Sequence, residues 1–190
     1  MENQAVQALL ERRSIRNIDP DRQLTQEQLE VLTRIAVTSP SARNNQKYHY
    51  TVVQDPKLLE HMSELIRQQM LQGTEDQKKK ASAPDYSPLH HAPTVLFISG
   101  DLKSSFHVQT DCGIAAGLIV AAATEMGLAS CVTASSLFMF KSEEGEALKQ
   151  QLQIPEGYQT VCTVALGYLK GDRPAEPTHK DPAQLLTVLP

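Results

Sequence analysis

Arg12, Arg13 and Arg16 fall within five residues of one another, in a chain whose formal net charge is -4. Guanidinium forks match phosphate oxygens bidentately, so the cluster suits a phosphate-bearing ligand. Equally, it suits the basic end of a helix, where cations complement the dipole. A second polar group, Ser41, Asn44, Asn45 and Gln46, follows Ser39-Pro40. Carboxamides carry donors and acceptors together. They can read a heterocyclic edge that alternates the two, or they can simply form a polar turn before a strand. His107 and Asp111 stand one turn apart, and His90 and His91 are adjacent. The first pair could bind a metal or relay protons, though a helix-surface pair is its commoner meaning; the second could bind a metal but has no third ligand nearby. No metal site is expected. GxGxxG, P-loop, GxSxG and HExxH patterns are absent, which removes the usual dinucleotide and hydrolase signatures.

The elements that must position these groups follow from periodicity. A short helix over 3–12 places Val6, Leu9 and Leu10 on one face. Thr25 and Gln28 have capping-box spacing, so a helix should follow and bury Leu29, Leu32, Ile35 and Ala36, ending at Ser39-Pro40. Residues 48–53 read as a strand. Asp55-Pro56 starts a helix to about Gln72, with Leu58, Met62, Leu65, Ile66 and Met70 inward. Residues 73–88, with three consecutive lysines and two prolines, read as a polar, mobile segment. Residues 94–99 form a buried strand. Residues 104–126 read as one long helix, apolar nearly all round and rich in glycine and alanine. Such a helix is buried on all sides and suits the centre of the molecule or a subunit interface. Strands over 128–133 and 159–168 flank a short helix capped by Ser142, and a polar tail follows. Interleaved strands and helices give an α/β or α+β class.

Composition narrows the function classes. The chain has 190 residues, 41% apolar and 21% charged, and reads as a single domain, 1–190, with a real core. Its acidity argues against a nucleic-acid partner. No apolar run approaches the roughly 20 residues that cross a bilayer, so no membrane association is expected. Three widely spaced cysteines and no secretory signal point to the cytoplasm.

Taken in order, five stretches resemble the nitroreductase family of FMN-dependent enzymes. They are Arg12-Arg13-Ser14-Ile15-Arg16, residues 39–46, residues 111–117, residues 125–131 and Ala165-Leu166-Gly167-Tyr168. The resemblance implies an α+β fold, a mixed central sheet flanked by helices, built as an intertwined homodimer around a long interface helix. It implies an FMN site lined by both subunits. Arg12, Arg13 and Ser14 would meet the phosphate and ribityl chain, and Arg16 the N1/O2 edge, where a cation stabilises the reduced flavin. Pro40, Ser41, Asn44 and Gln46 would contact the cofactor from the partner. Ala134 and Ser135 would lie along the ring, and Lys180 or His179 would pair with the phosphate. Three positions depart from the family pattern: Lys47-Tyr48 where Pro-Trp is common, Val132 where an aromatic is common, and His179-Lys180 where arginine is usual.

The implied activity passes hydride from NADH or NADPH through flavin N5 to an electron-poor small molecule, such as a nitro compound or quinone, by a ping-pong mechanism. The cofactor carries the chemistry, and no catalytic acid or base is assigned. The alternatives are a flavin-binding sensor or storage module without turnover, and another flavin chemistry on the same fold, enone reduction or dehalogenation.

Overall fold

The computed structural model describes residues 3–189. Asn3 caps helix α1 (Gln4–Glu11), its side chain accepting from the Ala5 N–H. Thr25 and Gln28 form a reciprocal capping box on α2 (Gln26–Val37). A 3-10 turn, Ala42–Asn44, leads into strand β1 (Tyr48–Val53). The Asp55 carboxylate accepts from the N–H groups of Lys57 and Leu58, starting α3 (Pro56–Leu71). Then come α4 (Glu75–Ala81), β2 (Thr94–Gly100), α5 (Val108–Glu125) and β3 (Ala129–Thr133). A 3-10 stretch, Ser135–Lys141, precedes α6 (Glu143–Gln151), capped by Ser142, and β4 (Gln159–Gly167).

The four strands form one sheet in the order β1-β2-β4-β3, and every pairing is antiparallel. The α+β class expected from the sequence is what the fold shows. The sheet within one chain is wholly antiparallel rather than mixed. Side chains alternate across it, as the two-residue period of a strand requires. Val95 and Phe97 enter one core with α3, α6 and the Ser135–Lys141 stretch. Leu96 and Ile98 enter the other with α2 and α5. Both faces are covered, which explains why β2 reads as an unbroken apolar run.

Three expectations need revision. Segment 73–88 holds a helix, α4. Thr74 and Gln77 form a second capping box, Ala81 is buried, and the Arg67 side chain donates to the Ala81 carbonyl at 2.7 Å. Its three lysines hid it, because they decorate the outer face of a seven-residue helix. Next, α5 begins at Val108 rather than 104, and it is not buried all round. Val108, Cys112, Ala115, Ala116, Ile119 and Ala123 pack inward, while Ile114 and Leu118 stand about 40% exposed beside exposed Gly113 and Gly117. Finally, the apolar face of α1 is not covered: Val6, Leu9 and Leu10 all point to solvent. Among the described residues, no helix is long and apolar enough to cross a membrane.

Candidate functional site

The arginine cluster lies just past the end of α1, on an extended segment stitched to the sheet. The Ile15 N–H donates to the Ser130 carbonyl at 2.9 Å, the Asp19 N–H to Tyr168 at 2.8 Å, and Ile18 bridges Leu169. Ile15 and Ile18 are buried, which turns Arg12, Ser14 and Arg16 outward. Gly167 permits this close approach, since a Cβ there would run into Ile18 and Pro93. Arg13 is half-buried, and its guanidinium donates to the carbonyls of Leu10 and Arg12, both at 2.9 Å. Among the described residues, the side chains of Arg12 and Arg16 make no hydrogen bond or ion pair.

A hollow of about 560 Å³ opens here, lined by Arg12, Arg13, Ser14, Arg16, Glu176 and His179. The tail is brought over by Asn17, whose amide donates to the carbonyls of Lys170 at 2.6 Å and Asp172 at 3.0 Å. Arg173 adds a bond to the Glu11 carbonyl. Glu176 then reaches Arg13 at 3.3 Å. The structure therefore brings together Arg12, Arg13, Ser14, Arg16 and His179. Lys180 is exposed and is not among the residues lining the hollow. Sequence reasoning missed Asn17 and Glu176; their signal, a polar residue between two buried isoleucines and a lone acid in a proline-rich tail, is too short to read alone.

The amide loop sits elsewhere. It precedes β1, at the sheet end where Tyr48 pairs with Gly100, whereas the arginine segment joins β3 near its start. β1 and β3 are the two edges of the sheet, separated by three strand spacings, roughly 14 Å. Arg43, Asn44 and Gln46 all take left-handed backbone conformations, with φ of 55°, 54° and 49°. The turn is held internally by the Gln46 N–H on the Ser41 hydroxyl and by the Gln46 amide on Asn44. Asp111 ties it to the body: both carboxylate oxygens accept from the Ala42 N–H at 3.2 Å. Asp111 is thus a buried loop anchor rather than the surface partner of His107. Pro40 and Arg43–Gln46 are exposed and contact no part of the arginine hollow.

Ala134 and Ser135 follow β3. The Ser135 hydroxyl lies 2.7 Å from that of Thr133 and donates to the Pro88 carbonyl at 3.1 Å. That second bond draws the 88–91 loop toward the β3 end. His90, another residue the sequence did not single out for this region, is partly buried there. Burial and then the charge of Arg16 push it down to about 4. It is a neutral imidazole at physiological pH. The thiols offer no nucleophile, because burial raises Cys112 to about 12 and Cys162 to about 11. Among the described residues, no three His, Cys, Asp or Glu side chains are placed to hold a metal.

A family model described as the nitroreductase family matches residues 9–168, a span that runs from the arginine segment to the end of the sheet. The chain belongs to the nitroreductase family. It is 32% identical over 168 residues to a protein of Archaeoglobus fulgidus named as an NADH dehydrogenase/NAD(P)H nitroreductase, covering 85% of this chain and 83% of that one. Its fold matches that of an FMN-bound nitroreductase from Bacteroides fragilis with a TM-score of 0.89 and 26% identity, over 98% of this chain and 99% of the other. An iodotyrosine deiodinase of Nematostella vectensis is 24% identical over 200 residues, which covers 96% of this chain and 73% of that relative.

Proposed function

We propose that this nitroreductase-family oxidoreductase holds FMN between two copies of the chain. The observation that carries the reading is the pair of half-sites at opposite edges of the sheet, one of arginines and one of amides. Each offers polar groups to solvent. Pairing a hollow on one copy with a loop on the other completes a site that neither copy encloses.

The residues present fit the cofactor. Arg12 and Arg16 have free guanidinium groups, and Arg13 is fixed beside them, which suits a phosphate dianion and a ring edge that gathers negative charge. Asn44 and Gln46 present amides able to donate and accept. The uncovered face of α5, with Gly113, Ile114, Gly117 and Leu118, supports the homodimer. Added Cβ atoms at Gly113 and Gly117 would meet nothing within 4 Å, so a partner helix could approach closely. Bound FMN would supply hydride exchange at N5, from NADH or NADPH in one half-reaction and to an electron-poor nitro compound or quinone in the next. The protein's part is to position the ring, exclude water and stabilise charge. The segment around α4 would cap the site, and the three unpaired cysteines support a cytoplasmic location. Reductive dehalogenation is a second reading, supported by the likeness to a deiodinase.

Freshly purified protein should be yellow and should elute as a dimer. Colourless protein that takes up no added FMN would overturn the proposal. Bound flavin that neither NADH nor NADPH bleaches would make the chain a flavin carrier or sensor. Arg16→Ala should slow flavin reduction roughly 100- to 1000-fold, the cost of losing one charge-stabilising group, with a smaller loss of FMN affinity. Stopped-flow bleaching measures both.

A further inference from the structure

Asp111 is a carboxylate only 7% exposed, on the first turn of α5, with no cation paired to it among the described residues. Burying a charge is costly unless it is hydrogen-bonded. Its partner is the Ala42 N–H, which lies 3.2 Å from both oxygens. Among the described residues, that is the one hydrogen bond joining residues 41–46 to another element; the others run within the loop. Three of those six residues hold left-handed conformations, which non-glycine residues resist. The bonds inside the loop set its curvature, and the Asp111 bond sets where it sits on the body.

We propose that Asp111 is a positioning residue for the cofactor, acting through Ala42 on the loop that carries Asn44 and Gln46, and that it serves the flavin of the opposite subunit. This rests on the FMN reading above. The carboxylate sits on α5, the helix whose outer face is left for the second copy. Interface and loop are therefore fixed to one rigid element, and docking of α5 delivers the amides in a set orientation. A charged acceptor holds an N–H more firmly than a neutral one.

Asp111→Ala should weaken FMN binding roughly 10- to 100-fold, as expected for losing a buried hydrogen bond to a charged group. Quenching of free FMN fluorescence on titration reads this. Asp111→Asn keeps an acceptor oxygen and should recover most of the affinity. Leu152→Ala, a core truncation beneath β1, should lower the melting temperature without moving FMN affinity. A merely structural Asp111 would instead track melting temperature, with all three variants on one line, and that would overturn the proposal.

A subunit-mixing test decides which flavin is served. Asp111→Ala and Arg13→Ala chains, differently tagged, are co-purified as a heterodimer. If the loop acts across the interface, one site has both defects and the other has neither, so one tight FMN binds per dimer. No tight site would overturn the assignment to the opposite subunit. Wild-type protein is the reference throughout. If it binds no FMN, the function reading fails; if it binds and Asp111→Ala binds equally well, only the positioning role fails.

Discussion

The two polar regions, the arginine segment and the amide loop, are held by opposite means. The arginine segment is held by its backbone: Ile15, Ile18 and Asp19 extend the hydrogen bonding of the sheet, and two buried isoleucines set which side chains face out. The amide loop is held by side chains. Ser41 bonds its interior, Asp111 bonds its start, and its backbone runs through left-handed residues that gain nothing from the sheet. Backbone anchoring tolerates many side chains at the exposed positions, whereas side-chain anchoring depends on a few. Substitutions in the first region should therefore change ligand contacts without changing shape. In the second they should change shape as well.

Arg13→Ala gives the largest contrast. Because the segment is fixed by its main chain, the variant should fold normally with a melting temperature within a few degrees of wild type. FMN affinity should fall about 50-fold, in the range for one lost charge-assisted contact. A large fall in melting temperature would show that Arg13, bonded to Leu10 and Arg12, is a structural cap instead.

Arg43→Gly tests the other side. Arg43 is exposed with φ 55°, and glycine relieves the left-handed penalty while adding freedom to the unfolded chain. The net expectation is a gain of about 0.5–1 kcal/mol in stability without cofactor. FMN binding should weaken a few-fold, because a looser loop must be ordered on binding. Urea unfolding and FMN titration read the two effects. Stability lost on this substitution would mean that the Arg43 side chain holds the loop.

On the arginine side, acid acts through His90. His90 is held near 4 in the folded protein, chiefly by burial, against 6.5 ordinarily. Above pH 6.5 the imidazole is neutral folded or unfolded and contributes nothing to pH dependence. Between 6.5 and 4 the unfolded chain binds the extra proton, so stability falls as pH falls. His90→Gln should flatten that decline in unfolding midpoints measured across this range. An unchanged slope would place the titrating group elsewhere.

The same contrast explains what the sequence disclosed. Apolar periodicity survives in any window, so α2, α3 and β2 were legible together with the Thr25 and Ser142 caps, and Arg12-Arg13-Ser14-Ile15-Arg16 carried its own pattern. Asp111 was visible as a residue, but its partner is a backbone N–H 69 positions away, and no spacing rule reaches that far. α4 was obscured because a short helix with one buried alanine has almost no apolar stripe. The apolar faces of α1 and α5 were legible as apolar, but one chain does not supply what would cover them.

The smallest expected effect concerns Glu176, whose carboxylate stands 3.3 Å from Arg13 and 3.9 Å from His179. Arg13 is one of the three arginines that line the hollow, so an incoming phosphate and this carboxylate compete for the same charge. The glutamate is 66% exposed, and exposed pairs contribute only about 0–1 kcal/mol. Displacing it costs little, and Glu176→Gln should tighten FMN binding only about 3-fold at low salt. The gain should shrink as ionic strength rises, since screening acts within about 3 Å at 1 M salt. The amide loop has no such internal competitor, so no acid-to-amide change there should tighten binding. If Glu176→Gln weakened FMN binding instead, the carboxylate would be holding the tail in place for the phosphate, and the arginine half-site would depend on a side-chain anchor after all.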